Sequence, residues 1–237
     1  EIEMKNLLLI MALLFGMNAY ASTLPELPVY IYHTYSPEGF DSNDDIEIFI
    51  SGALPNTCYK SPKVEITRQG NVFFAEVTAF YTGGQGEKCA EMLIPFLQKV
   101  NLGVLDKGNY QVKAKSGLQV IENSTVKIYE STSNSVDDNV YADVEYIKEN
   151  SFNRVVELIG YNPSDCFELD EVKLVHNNKD TYSILPIMKK VYELCPMKMV
   201  PFSYEVEIPV VLDKSVVLLH VRSMEGRSVN RLFSKHR

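Results

Sequence analysis

GALPNTC, residues Gly52 to Cys58, returns 108 positions later as GYNPSDC, Gly160 to Cys166, with glycine, proline and cysteine in the same places. The correspondence extends beyond the loop. Val64 and Val172 share that offset, Cys89, Pro95 and Phe96 return as Cys195, Pro201 and Phe202, and Leu105-Asp106-Lys107 returns as Leu212-Asp213-Lys214. Blocks in one order at nearly constant spacing mark two copies of one module, too few for a solenoid.

Within each copy the residues alternate as strands do. Ile46, Ile48 and Ile50 interleave with Glu47 and Phe49, Val72 to Tyr81 is a β-branched and aromatic run, and Tyr110, Val112 and Ala114 alternate again. The second copy repeats the order at Val155 to Ile159, Val172 to Val175, Thr181 to Met188, Val206 to Val211 and Val216 to Val221. Arg68 to Asn71 (RQGN) and His176 to Asp180 (HNNKD) supply residues that tolerate positive φ, as hairpin turns require. CAEMLIPFLQKV, from Cys89, has room for one helical turn before Pro95. The expected fold is all-β: two tandem immunoglobulin-like β-sandwich modules of about seven strands, one disulfide each. The expected boundaries are module 1 at 22–130, a polar linker at 131–139 and module 2 at 140–237. With no tryptophan in the chain, the broad sandwich architecture is implied rather than the antibody family.

The first residues read as an export signal. Met4-Lys5-Asn6 is short and positive, Leu7 to Phe15 is apolar, and Ala19-Tyr20-Ala21 is a small-x-small cleavage site, placing the cut before Ser22. The apolar run is too short to span a bilayer, so the mature chain is expected to carry no transmembrane anchor and to be periplasmic or extracellular. Glu1-Ile2-Glu3 are set aside as preceding the start. The four cysteines fit an oxidising compartment. Since Cys58 and Cys166 hold one place in the repeat and Cys89 and Cys195 another, the pairing that lets each module fold alone is Cys58–Cys89 and Cys166–Cys195.

The chain carries a net charge of −8, which argues against a general role on nucleic acid. It contains no nucleophile-elbow, zincin or P-loop motif, so no catalytic residue, metal site or cofactor is assigned. His33, His176, His220 and His236 are scattered; His220, in a strand, suits a hydrogen-bonded structural role. Asp41 to Asp45 (DSNDD) and the acids Asp137, Asp138 and Asp143 are weak calcium candidates, with solvated acidic loops as the bland alternative. Arg222, Arg227, Arg231, Lys235 and Arg237 make a basic stripe against the single acid Glu225, suited to an acidic partner or to a solvated last strand. Asn123-Ser124-Thr125 fits the N-glycosylation pattern.

Recognition then falls to loops. The candidate contacts are the residues that vary inside the repeated loop, Leu54, Asn56 and Thr57 in one copy and Asn162, Ser164 and Asp165 in the other, with Gly83, Gly84 and Gln85 of the glycine-rich segment. Asn162 to Asp165 (NPSD) and Thr82 to Gly86 (TGGQG) resemble two loops of the chagasin-like inhibitors of cysteine proteases; the family's Arg-Pro-Trp loop has no counterpart, and the two loops fall in different copies. The function expected is that of an exported, non-catalytic binding or structural protein of the bacterial cell envelope or secretome, its partner a protein or envelope component. A secreted protease inhibitor is the alternative implied by that resemblance.

Overall fold

The computed structural model describes residues 24–84, 86–116, 119–149, 154–196, 198–209 and 216–234; the export signal, Gln85 and the end of the basic stripe lie outside them. Among the described residues every regular element is a strand. The first repeat holds β1 (Glu26–Pro28), β2 (Tyr30–Tyr35), β3 (Phe40–Asp41), β4 (Ile46–Leu54), β5 (Tyr59–Gln69), β6 (Val72–Tyr81), β7 (Ile94–Gly103), β8 (Gly108–Ser116) and β9 (Gln119–Tyr129). The second holds β10 (Asp143–Glu149), β11 (Val155–Asn162), β12 (Phe167–His176), β13 (Thr181–Lys190), β14 (Val200–Glu207), β15 (Val216–Ser223) and β16 (Arg227–Ser234).

Each repeat is a pair of sheets with one connectivity. A three-stranded sheet, β2-β4-β7 or β10-β11-β14, faces a sheet ordered β5-β6-β8-β9 or β12-β13-β15-β16. In the first repeat the short strands β1 and β3 extend the larger sheet. The sandwich expectation holds, but the strand order departs from the immunoglobulin pattern, in which the third strand lies beside the sixth. Here, among the described residues, β5 pairs only with β6, and β6 pairs in parallel with β8; β12, β13 and β15 do the same. The tight Gly70–Asn71 turn holds β5 to β6, while the chain crosses to the opposite sheet as β7 before returning as β8, which makes that pair parallel. CAEMLIPFLQKV forms no helical turn, its latter part being β7. β14 starts at Val200, earlier than the apolar pattern suggests.

Alternation explains the cores. Ile46, Ile48 and Ile50 point inward from β4 onto Phe73, Ala75 and Val77 of β6 and Val112 and Val126 of the sheet beyond. Val156 and Leu158 of β11 do so onto Tyr182, Ile184, Leu219 and Val221. Each fully buried aliphatic side chain contributes about 1.5–3 kcal/mol.

The repeated glycine and cysteine have physical reasons. A Cβ on Gly52 would lie 2.0 Å from the Tyr30 carbonyl oxygen and 2.5 Å from the Phe96 ring; on Gly160 it would lie 2.0 Å from the Asp143 carbonyl oxygen and 3.0 Å from Phe202. The edge strand bulges at the same place in both copies, after Ile31 and after Val144, and carries its backbone over the glycine. The cysteines pair as the repeat predicts, Cys58 with Cys89 and Cys166 with Cys195, at Cα separations of 5.3 and 5.5 Å. By loop-closure entropy each bridge contributes about 3–4 kcal/mol.

Candidate functional site

The disulfide-tied loops crown one end of each sandwich, and much of what varies in them is occupied with turn closure. The Asn56 carboxamide oxygen accepts from the Cys58 N–H at 3.0 Å, and the Ser164 hydroxyl accepts from the Cys166 N–H at 2.9 Å, so different residues perform one task at equivalent positions. Leu54 is buried, Thr57 accepts from the Ala90 N–H, and Asn162 is buried with its amide 3.4 Å from the Tyr204 hydroxyl. Gly83 packs beside the Tyr81 ring, and only Gly84 and Asp165 of the described candidates are well exposed.

What these ends do expose is apolar. In the first repeat Tyr30, Tyr32, Met92, Leu93 and Pro95 are exposed, with Leu93 at 57%. In the second, Tyr146, Tyr161, Leu194, Met199 and Pro201 are exposed, with Leu194 at 91% and Met199 at 63%. Registers place Pro95 and Pro201 in correspondence: Tyr30, Ala53 and Pro95 form one row across β2-β4-β7, and Asp143, Tyr161 and Pro201 form the same row across β10-β11-β14, so the exposed tyrosine sits on the first strand of the row in one repeat and on the second in the other. Leu93 and Met199 each stand one residue before the third strand of that sheet.

The repeats are welded through unlike faces. The outer face of β2-β4-β7 packs on the outer face of β12-β13-β15-β16, with Tyr35, Phe49 and Leu218 as a small apolar cluster between them. Around it lie ion pairs. The guanidinium of Arg222, 4% exposed, donates to both carboxylate oxygens of Asp44 at 3.0 and 2.5 Å and to Asp137 of the linker at 2.5 Å, beneath the Phe40 and Tyr141 rings. Burial alone would lower its pKa; the Asp44 carboxylate outweighs that and raises it. Nδ1 of His220, fully buried, lies 2.7 Å from the Asn230 carboxamide oxygen and 3.3 Å from Glu47, whose other oxygen takes Lys99. Burial pushes the His220 pKa down to about 4.

At the far side of the seam, Nε2 of His33 lies 2.6 Å from Asp180, and Lys179 reaches Glu122 at 2.9 Å. Burial raises the Asp180 pKa, but hydrogen bonds from His33, Asn177 and Thr181 prevail and hold it below the usual range.

These contacts fix direction. Along β4 the partners of Phe49, Glu47 and Asp44, which lies just before the strand, are Leu218, His220 and Arg222 of β15, so the two strands run oppositely across the seam. β4 runs toward the Cys58 loop, and β15, parallel to β13, runs toward the Cys195 end. The two disulfide-tied ends therefore point away from one another. The glycine-rich and Asn-Pro loops, which resemble two loops of the chagasin-like inhibitors, lie at opposite ends of the molecule.

Several sequence candidates resolve into this seam. DSNDD and the linker acids do converge, but around Arg222, whose guanidinium sits between Asp44 and Asp137; Asp138 instead accepts from the N–H and hydroxyl groups of Thr132 and Ser133, which lower its pKa to about 2. No group of metal-ligating residues is present among the described residues. Of the basic stripe, the described part is paired within the protein: Arg222 is buried on Asp44 and Asp137, Arg227 pairs with Asp143 and Arg231 with Glu149. The alternation of outward residues on β4 and β15 carried the signal for the seam, but nothing in the sequence says that those two faces meet.

Residues 48–128, from within β4 to the end of β9, match the family model described as the ORF11 beta-sandwich domain. The match covers most of the first repeat and well under half of the chain. No curated protein and no solved structure matches.

Proposed function

We propose that the protein acts by binding, as an exported, disulfide-stabilised scaffold of the bacterial envelope or secretome that holds a partner surface at each of its two ends. The observation that carries this reading is the exposed pair Leu93 and Pro95, which returns at matching positions as Met199 and Pro201, with a tyrosine exposed beside each, Tyr30 in the first repeat and Tyr161 in the second. Exposed apolar side chains clustered at both poles of an acidic protein mark contact surfaces. Two disulfides suit an oxidising compartment. The histidines among the described residues support the same reading: His33 and His220 are spent on the seam, and His176 stacks on Tyr182.

A photo-crosslinking residue placed at Leu93, at Met199 and, as control, at exposed Thr67 tests it in the native envelope. Adducts of defined mass from the two ends and none from position 67 are expected. Equal labelling from all three positions would contradict end-on binding.

A further inference from the structure

We propose that the free outer face of the β5-β6-β8-β9 sheet binds a linear acidic polysaccharide, with Lys113, Lys115 and Lys127 as its anion contacts. This face is independent of the apolar ends. It is the counterpart, in the first repeat, of the face that the second repeat spends on the seam: by register Gln111, Lys113 and Lys115 stand where Leu218, His220 and Arg222 stand. Packing of unlike faces leaves it uncovered.

Its chemistry is more specific than a polar cap requires. In a chain of net charge −8, none of these three lysines has a carboxylate within 4.0 Å among the described residues. The acids of the face stand at its borders and beside Lys115: Glu65 of β5 pairs with Lys63, Glu76 of β6 neighbours Lys115 in register, and Glu130 at the end of β9 pairs with Lys107. Two of the ammonium groups are held down on the sheet, Lys115 at 3.7 Å from the Phe74 ring centre and Lys127 at 4.6 Å from that of Tyr129. A cation already placed over a ring loses less freedom when an anion arrives.

Between the lysines, Asn109, Gln111, Asn123 and Thr125 are exposed on the same face and offer amide and hydroxyl groups suited to sugar hydroxyls. From Lys115 to Asn109 the face runs about 20 Å along β8. It ends in a shallow depression of about 410 Å³ lined by Lys107, Asn109, Lys127 and Tyr129 among others. An extended polymer with regularly spaced anions fits such a track. A bilayer fits it less well, because the Phe74 and Tyr129 rings are capped by lysines and the exposed Val120 and Ile121 stand only at the Lys115 end of the described face.

Titration calorimetry with heparin as probe, at low and at 150 mM salt, tests the face, with neutral dextran and phosphatidylglycerol vesicles alongside. Heparin is expected to bind with an affinity that falls as salt rises, and dextran not to bind. Lys113→Gln/Lys115→Gln/Lys127→Gln should weaken heparin on the order of tenfold, while Lys173→Gln/Lys190→Gln/Lys198→Gln, equal in charge but on exposed lysines of the other repeat, should not. No heparin binding, an equal loss in both triple variants, or binding to vesicles alone would each overturn the proposal.

Discussion

Phe49 and Glu157 occupy the same place in the two copies, the middle strand of the three-stranded sheet, facing outward. Phe49 is flanked by Tyr35 and Lys99 and is buried against the other repeat; Glu157 is flanked by Lys148 and Glu205, pairs with Lys148 at 2.7 Å and faces water. The larger sheets differ in the opposite sense, with Leu218, His220 and Arg222 buried in the second copy and Gln111, Lys113 and Lys115 facing water in the first. One module has thus been given one sticky face per copy, on different sheets, and a polar face where a third copy would otherwise stack. This is how a repeat array is capped, carried out here with two units. Unlike faces pack without closing a ring, so without the polar substitutions the contact would propagate.

The comparison breaks most sharply at Arg222. Arg222→Ala leaves Asp44 and Asp137 facing one another without their cation and should cost about 3–5 kcal/mol in denaturant unfolding, whereas Lys115→Ala at the equivalent place should stay within about 0.5 kcal/mol. Phe49→Ala should cost about 3 kcal/mol, and Glu157→Ala should leave the unfolding midpoint unmoved. A similar loss at both members of either pair would show that the faces are not differentiated.

Acid supplies a smaller and reversible lever. His220 is held neutral, with its pKa lowered from 6.5 to about 4, so the unfolded chain binds the proton first; stability is full above about pH 6.5 and falls as pH drops toward 4. The loss is on the order of 3 kcal/mol, and His176, whose pKa burial also lowers, acts in the same sense. His220→Gln should flatten the stability profile across that window. A profile as steep as that of the unaltered protein would remove His220 from the account.

The repeat made the architecture legible. Equal offsets of Cys58 and Cys166, and of Cys89 and Cys195, predicted the disulfides, and period-two alternation predicted most strands, because both are local or internal to one copy. The strand order was not legible, since whether β5 or β6 lies beside β8 depends on crossovers rather than on alternation. Nor was the seam. Glu47 and Phe49 read as the outward half of a strand, and Arg222 as part of a basic stripe, because which outward face meets which is a property of the assembled pair. In the repeated loop the difference between Asn56 and Ser164 is two solutions to one turn, and the exposure of Leu93 and Met199 just before the third strand depends on the assembled sheet rather than on local alternation.

The central claim is that the repeats pack through unlike faces with their disulfide-tied ends pointing apart. Spin labels at exposed Glu26, at the disulfide end of the first repeat, and at Lys190, at that of the second, report it when compared with a pair at Lys107, the opposite end of the first repeat, and Lys190. The distance from 26 to 190 should be clearly the longer of the two, with a narrow distribution for each. A shorter 26-to-190 distance would place both loops at one end of the molecule and contradict the account.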